Sequence, residues 1–113
     1  MTARITSHVL DTSAGRPASG LTVRLERHGA PQNSIALASA ATDADGRVRD
    51  WLPDGVPPGR YRLVFETGDW FRRAGRETLY PEVCIDFEVG DGVSHYHLPL
   101  LLSAFGYSTY RGS

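Results

Sequence analysis

The stretch Leu21-Thr-Val-Arg-Leu-Glu26 decides the fold class, because apolar and polar side chains alternate along it. Leu21, Val23 and Leu25 share one side, and polar residues share the other. Successive side chains of an extended strand point to opposite faces of a sheet, so this segment is predicted to be a half-buried strand. The stretch Val83-Cys-Ile-Asp-Phe-Glu-Val89 repeats the pattern further along the chain.

Residues that favour turns, chiefly Gly, Pro, Asp, Asn and Ser, divide the rest of the chain into further short runs. They cluster at residues 11–20, 29–34, 43–46, 53–59 and 90–92. Eight strands are predicted between them: residues 3–10, 21–27, 35–41, 47–50, 60–66, 82–89, 94–102 and 106–111. One short helix is predicted from Gly68 to Ala74, with Asp69 capping its start and Gly75 its end. Short strands separated by turns predict an all-β sandwich of two antiparallel sheets.

Composition indicates one globular domain spanning residues 1–113. The 12 basic and 13 acidic residues nearly cancel, so no long-range field favours nucleic acid or an anionic membrane as a partner. Cys84 is the single cysteine, which excludes an internal disulfide, and a packing or surface role is expected for it. The start of the sequence lacks the apolar run of a signal peptide, and the longest apolar stretch, Leu98 to Leu102, is far too short to span a membrane. We therefore expect a cytoplasmic protein.

Histidine is the first residue type to consider for chemistry, because free histidine titrates close to neutral pH. His8 lies within a predicted strand and faces away from Ile5 and Val9. His95 and His97 are two residues apart and therefore share one face of their strand. Any one such histidine is more often a solvated residue than a catalytic group, and the sequence alone does not bring the two strands together.

The His-x-His spacing also suits a metal, and His8 as a third ligand would complete an open zinc site. That pattern is short and common, so we expect no metal and no cofactor. The stretch Asp43-Ala-Asp-Gly46 superficially matches a calcium-binding loop, but its glycine comes too early and no glutamate closes it. An Asp-Gly turn between strands is predicted there instead.

Two further features are candidate binding groups. Arg47 follows the predicted turn and can offer a planar fork of donors to a carbonyl or an anionic ring, although such an arginine is more often solvated. The stretch Gly106-Tyr-Ser-Thr-Tyr-Arg-Gly-Ser113 is rich in aromatic, hydroxyl and basic groups. We expect it to be held in place, either as an edge strand or at a subunit contact, and both a packing role and a site role stay open.

Four segments distributed along the whole chain together carry a resemblance to a known family. They are Ser7-His-Val-Leu-Asp-Thr12, Thr42-Asp-Ala-Asp-Gly-Arg47, His95-Tyr-His-Leu-Pro-Leu-Leu-Leu-Ser103 and Gly106-Tyr-Ser-Thr-Tyr-Arg-Gly-Ser113. Phe71 and Tyr80-Pro-Glu-Val83 also match. Each segment is weak alone, but in this order they resemble the signature segments of the 5-hydroxyisourate hydrolases.

That resemblance implies a transthyretin-like sandwich of two four-stranded antiparallel sheets with one short helix. It also implies a homotetramer, built as a dimer of dimers, whose sites are lined by residues of two subunits. The catalytic residues it implies are His8, Arg47 and His97, and the substrate-binding residues are Tyr110, Arg111, Gly112 and Ser113. Ala104-Phe105 stands where the family often has Pro-Tyr, a departure that removes no catalytic group.

The implied activity is hydrolysis of a small molecule, 5-hydroxyisourate, to 2-oxo-4-hydroxy-4-carboxy-5-ureidoimidazoline during urate degradation. Adding water to a ring carbonyl needs a base for the water and donors for the oxyanion. His8 or His97 suits the first role and Arg47 the second, and which histidine is the base is left open. The alternative is a transthyretin-like small-molecule carrier without catalysis, since a fold does not determine a function.

Overall fold

Two β-sheets packed face to face and one short helix make up the structure. The computed structural model describes residues 2–28 and 34–113. In chain order the elements are β1 (Arg4–Asp11), β2 (Arg16–Pro17), β3 (Thr22–His28), β4 (Ser34–Ala41), β5 (Arg47–Val48), β6 (Gly59–Phe65), α1 (Thr67–Arg73), β7 (Val83–Val89), β8 (His95–Ser103) and β9 (Gly106–Thr109). The predicted all-β sandwich with one short helix is confirmed. The predicted break after His28 lies largely outside the described residues.

The first sheet has the strand order β2-β1-β8-β9, and the short strand β5 also pairs with β1. Its strands pair antiparallel except β1 and β8, which run parallel from Arg4 beside His95 to Asp11 beside Leu102. Parallel neighbours need a long crossover, and here the chain builds the whole second sheet between them. The two-residue strand β2 was too short to be recognised from alternation.

The second sheet has the order β4-β3-β6-β7, and every pair in it is antiparallel. Its inward side chains meet those of the first sheet in one core, whose largest fully buried members include Tyr61, Phe65, Phe71, Ile5, Leu21, Leu25, Leu63, Leu100 and Leu102. Leu21, Val23 and Leu25 are completely buried, as the alternation predicted. Polar side chains of the same strands therefore lie on the two outer faces.

Helix α1 differs from its prediction at its first turn. Glu66 occupies the N-cap position and makes no side-chain capping hydrogen bond, while Asp69 lies inside the helix. Asp69 instead forms an i,i+4 ion pair with Arg73 at 3.3 Å. Gly75 follows the helix with a φ of +70°, a left-handed conformation that glycine adopts without strain. Across the described residues, no helix has the length and apolar character needed to cross a membrane.

Candidate active site

Strands β1 and β8 bring the predicted histidines onto one outer face. Their parallel register pairs Arg4 with His95 and Thr6 with His97. Ile5 and Ser7 point inward and are buried, and the Ser7 hydroxyl donates to the carbonyl oxygen of Leu98 at 2.7 Å. The alternate residues of β1 and β8 consequently project from the sheet side by side.

The predicted turn at residues 43–46 places Arg47 on the same face. The Asp43 carboxylate accepts the backbone N–H of Arg47 at 2.9 Å, and Gly46 has a φ of +77°. A side chain on Gly46 would overlap the carbonyl oxygen of Val9, whose own N–H donates to Gly46 at 2.8 Å. This close approach requires glycine and pairs β5 with β1, so that Arg47 lies opposite His8 in the antiparallel register.

Residues that follow strand β9 contact both the backbone and the ring of His97. The backbone N–H of Gly112 donates to the carbonyl oxygen of His97 at 2.8 Å. A Cβ atom on Gly112 would lie 2.5 Å from Cδ2 of His97, well inside normal contact distance. Gly112 therefore gives the imidazole of His97 the space it occupies.

A cleft of about 260 Å³ opens on this face. It is lined by Arg4, Thr6, Ser7, Arg47, Val48, Arg49, Asp50, His95, His97 and Ser113. Of the residues predicted from the sequence, Arg47, His97 and Ser113 thus line one cavity, and Gly112 packs against its wall. His8 is not part of that lining, but it lies on the same face beside Arg47.

His97 is the residue whose protonation the site changes most clearly. Burial lowers the pKa of its imidazole below the ordinary value, and the charges of Arg47, His95 and His8 lower it further. Both causes disfavour the charged ring, so His97 is neutral at neutral pH. A neutral imidazole beside a guanidinium combines a proton acceptor with a donor for developing negative charge.

Two of the predicted binding residues lie elsewhere in the chain. The Arg111 guanidinium stacks on the ring of Tyr96, 4.9 Å from its centroid, and Tyr110 is 55% exposed. Both line a separate cavity of about 330 Å³ between β7 and β9, to which Phe87 also contributes. Tyr110 and Arg111 thus share this cavity, whereas the next residue, Gly112, packs against His97.

The donor geometry also bears on the metal alternative. Within residues 2–28 and 34–113, no three His, Cys, Asp or Glu side chains are grouped closely enough to hold a metal ion. The rings of His95 and His97 are 6.3 Å apart between centroids, and Thr6 lies between them. Cys84 lies on the opposite sheet and forms no disulfide. Its surface position is partly desolvated, and this desolvation together with the nearby Glu82 raises the pKa of the thiol, which disfavours a nucleophilic thiolate.

Sequence reasoning overlooked several residues of the cleft. Thr6 hydrogen-bonds to both His95 and His97, and Arg4 and Arg49 add positive charge to the walls. Alternation along β1 does place Arg4 and Thr6 on the same face as His8. The missing information was the pairing of β1 with β8, which spans nearly the whole chain.

Comparison with known proteins supports the same assignment of the fold. The family model described as the HIUase/Transthyretin family matches residues 5–112. The 5-hydroxyisourate hydrolase 2 of Rhizobium meliloti is 47% identical over 116 residues, which cover 97% of this chain and 96% of that protein. The 5-hydroxyisourate hydrolase of Mus musculus is 43% identical over 111 residues, covering 96% of this chain and 94% of that protein.

Comparison with solved structures leads to the same family. The Klebsiella pneumoniae 5-hydroxyisourate hydrolase is 46% identical and superimposes with a TM-score of 0.88, covering 98% of this chain and 100% of that one. Sea bream transthyretin in complex with thyroxine is 27% identical, with a TM-score of 0.90 and coverage of 96% and 93%. The architecture, the order of the four segments and these similarities lead to one assignment: the chain belongs to the HIUase/transthyretin family.

Proposed function

We propose that this chain is a 5-hydroxyisourate hydrolase, a single-domain enzyme of urate degradation that produces 2-oxo-4-hydroxy-4-carboxy-5-ureidoimidazoline. The observation that carries the proposal is the cleft in which neutral His97 lies near the guanidinium of Arg47. Relatives named 5-hydroxyisourate hydrolase, 42–47% identical over nearly the whole chain, support the same reading.

The reaction follows from these two groups. A water molecule gives one proton to Nε2 of His97 while its oxygen bonds to a ring carbonyl carbon of the substrate. Arg47 stabilises the negative charge that develops on the carbonyl oxygen. The intermediate then collapses, the ring C–N bond breaks, and the proton held by His97 passes to the departing nitrogen. No covalent intermediate and no metal is required.

His97 is our choice for the base, because it lines the cleft and its lowered pKa keeps it neutral. His8, opposite Arg47, is assigned the role of orienting the water or the substrate. Gly112 and Ser113 are assigned to the wall of the same cleft. Tyr110 and Arg111 complete the proposed substrate-binding set through a neighbouring subunit, since within one subunit Arg111 stacks on Tyr96.

A homotetramer, arranged as a dimer of dimers, is part of this proposal. Strands β7 and β9 are the edge strands on one side of the two sheets, where the cavity between them is open. Tyr107 of β9 and Tyr110, which directly follows β9, are exposed aromatic residues. Light scattering should give a mass four times the 12.4 kDa of the chain, and a monomer would remove the shared site. The cytoplasmic location stays a prediction.

The direct test is an activity assay. Urate oxidase produces 5-hydroxyisourate from urate, and the absorbance of the product decays slowly without further catalyst. This protein should accelerate that decay, and the acceleration should survive treatment with a chelator. Decay at the spontaneous rate, with substrate bound but unchanged, would favour the carrier alternative. Loss of activity on chelation and recovery with zinc would favour a site formed by His8, His95 and His97.

A further inference from the structure

Thr6 joins the two histidines of β8, and the activity proposed above leaves its role unassigned. Its Oγ1 atom lies 2.7 Å from Nε2 of His95 and 2.8 Å from Nδ1 of His97. The register of β1 and β8 pairs Thr6 with His97 residue by residue. Sheet pairing thus holds the hydroxyl between the two rings.

Proton counting limits what this hydroxyl can do. A threonine hydroxyl has one proton, so it donates to only one imidazole nitrogen and accepts from any other. If Thr6 donates to Nδ1 of His97, the proton of that neutral ring is on Nε2, which then cannot accept another. If Thr6 accepts from Nδ1–H of His97, Nε2 keeps its lone pair. The tautomer of His97 is therefore determined by the direction of this hydrogen bond.

His95 offers the acceptor that one of these two directions requires. Its Nε2 is the second polar atom within reach of the Thr6 hydroxyl, and as an acceptor it can take the hydroxyl proton. Once that proton points to His95, Thr6 has only lone pairs to offer His97. Gly112 packs against Cδ2 of His97 and so fixes the ring from its other side.

We propose that Thr6 is a positioning residue that accepts Nδ1–H of His97, donates to Nε2 of His95, and so leaves Nε2 of His97 free as the base. This inference rests on the proposed function, since it concerns how His97 activates water. A neutral ring is required for any tautomer to matter, and the lowered pKa of His97 provides it. Partners that orient the imidazoles of other catalytic sites act in the same way.

The test compares Thr6→Val, which keeps the shape without the hydroxyl, with Thr6→Ser, which keeps the hydroxyl. By analogy with partners that orient metal-bound imidazoles, Thr6→Val should lower kcat about 10–100-fold. KM should change little, because the hydroxyl contacts the two histidines rather than the substrate. Thr6→Ser should recover most of the lost rate. Wild-type kcat in Thr6→Val would overturn the proposal.

Nitrogen-15 NMR of labelled histidines gives a readout that does not depend on turnover. Wild-type His97 should be the Nδ1–H tautomer, and Thr6→Val should shift it towards Nε2–H, whereas Thr6→Ser should not. His95→Leu, which removes the acceptor of the hydroxyl proton, should shift it in the same direction as Thr6→Val. An unchanged tautomer in Thr6→Val would overturn the role of Thr6 even if the rate fell. Absence of hydrolysis by the wild type would refute the proposed function, and the tautomer measurement would still decide the role of Thr6.

Discussion

Histidines on the two outer faces of the sandwich have different neighbours. On the β3–β6–β7 face, Nε2 of His28 lies 3.2 Å from the Asp86 carboxylate, which also accepts from Nε of Arg62 at 2.7 Å. On the β1–β8 face, burial lowers the pKa of His97, and the nearby Arg47, His95 and His8 lower it further. The first arrangement neutralises charge, whereas the second keeps an imidazole uncharged beside a fixed cation.

Both faces arise from the same two-residue alternation, so periodicity alone does not separate them. The difference comes from which residue lies across the strand pair. Asp86 is a cross-strand partner of Arg62 in β6 and β7, while the register of β1 pairs Thr6 with His97 and His8 with Arg47. A histidine beside a carboxylate is a stabilising surface residue, and one beside a guanidinium in a cleft is suited to take a proton.

The largest expected effect comes from His97→Asn, which keeps a polar group but removes the base. The rate of 5-hydroxyisourate hydrolysis should fall roughly 10²–10⁴-fold, the usual contribution of general acid–base help. His8→Asn should also lower the hydrolysis rate, because His8 is assigned to orient water or substrate. The matched control is His28→Asn on the other face, which should leave the rate unchanged. A folded His97→Asn enzyme with full activity would contradict the comparison.

Arg47→Lys is the next largest change, since it retains the charge and loses the planar fork. Removing one oxyanion donor usually costs about 10²–10³ in kcat, and a lysine should recover part of that loss. We therefore expect kcat/KM to fall by about 10–10²-fold. Arg62→Lys, the same substitution on the ion-paired face, should not alter kcat/KM. Equal activity of Arg47→Lys and wild type would show that a point charge is sufficient.

Gly112→Ala tests how closely the chain holds His97. The added methyl group would lie 2.5 Å from Cδ2 of His97, so the imidazole has to move. A displacement approaching 1 Å can cost up to about 10²-fold, and we expect a loss of about 10-fold in kcat. Gly106→Ala is the control, because its Cβ would meet only Ser103 Oγ at 3.6 Å. Similar kcat values for the two variants would exclude a steric role for Gly112.

Local patterns predicted the strands well, because burial of one face of a strand produces an alternation of apolar and polar residues that is visible within a few positions. Leu21, Val23 and Leu25 are buried as expected, and the turn at 43–46 delivers Arg47 to the sheet. Parallel pairing of β1 with β8 was not predictable in this way, since it joins residues about ninety positions apart. Thr6 was overlooked for the same reason.

Orientation at the C-terminal segment was a second gap in the sequence reading. Gly112 packs on His97, whereas its neighbour Arg111 faces Tyr96 on the other side of the sheet. Four consecutive residues quoted as one motif therefore divide between two cavities of the same chain. The division falls in the middle of the motif, with Tyr110 and Arg111 on one side and Gly112 and Ser113 on the other, so it does not follow the strict alternation of a strand.

Asp86→Asn should have the smallest effect, and it tests the ion-paired face by itself. Hydrogen bonds from Arg62 and His28 hold the pKa of the Asp86 carboxyl below its ordinary value. The carboxylate therefore stabilises the fold at pH values above its unfolded-state pKa of about 4. That contribution is lost as the pH falls through the lower pKa of the folded state. Because Asp86 is half exposed, the free energy of unfolding at pH 7 should fall by at most about 1 kcal/mol in Asp86→Asn. Denaturant titrations of both proteins should converge progressively as the pH falls below the unfolded-state pKa, and also in high salt, with identical hydrolysis rates at pH 7. A fall in rate would mean that this face also supports the cleft, and the contrast between the two faces would be wrong.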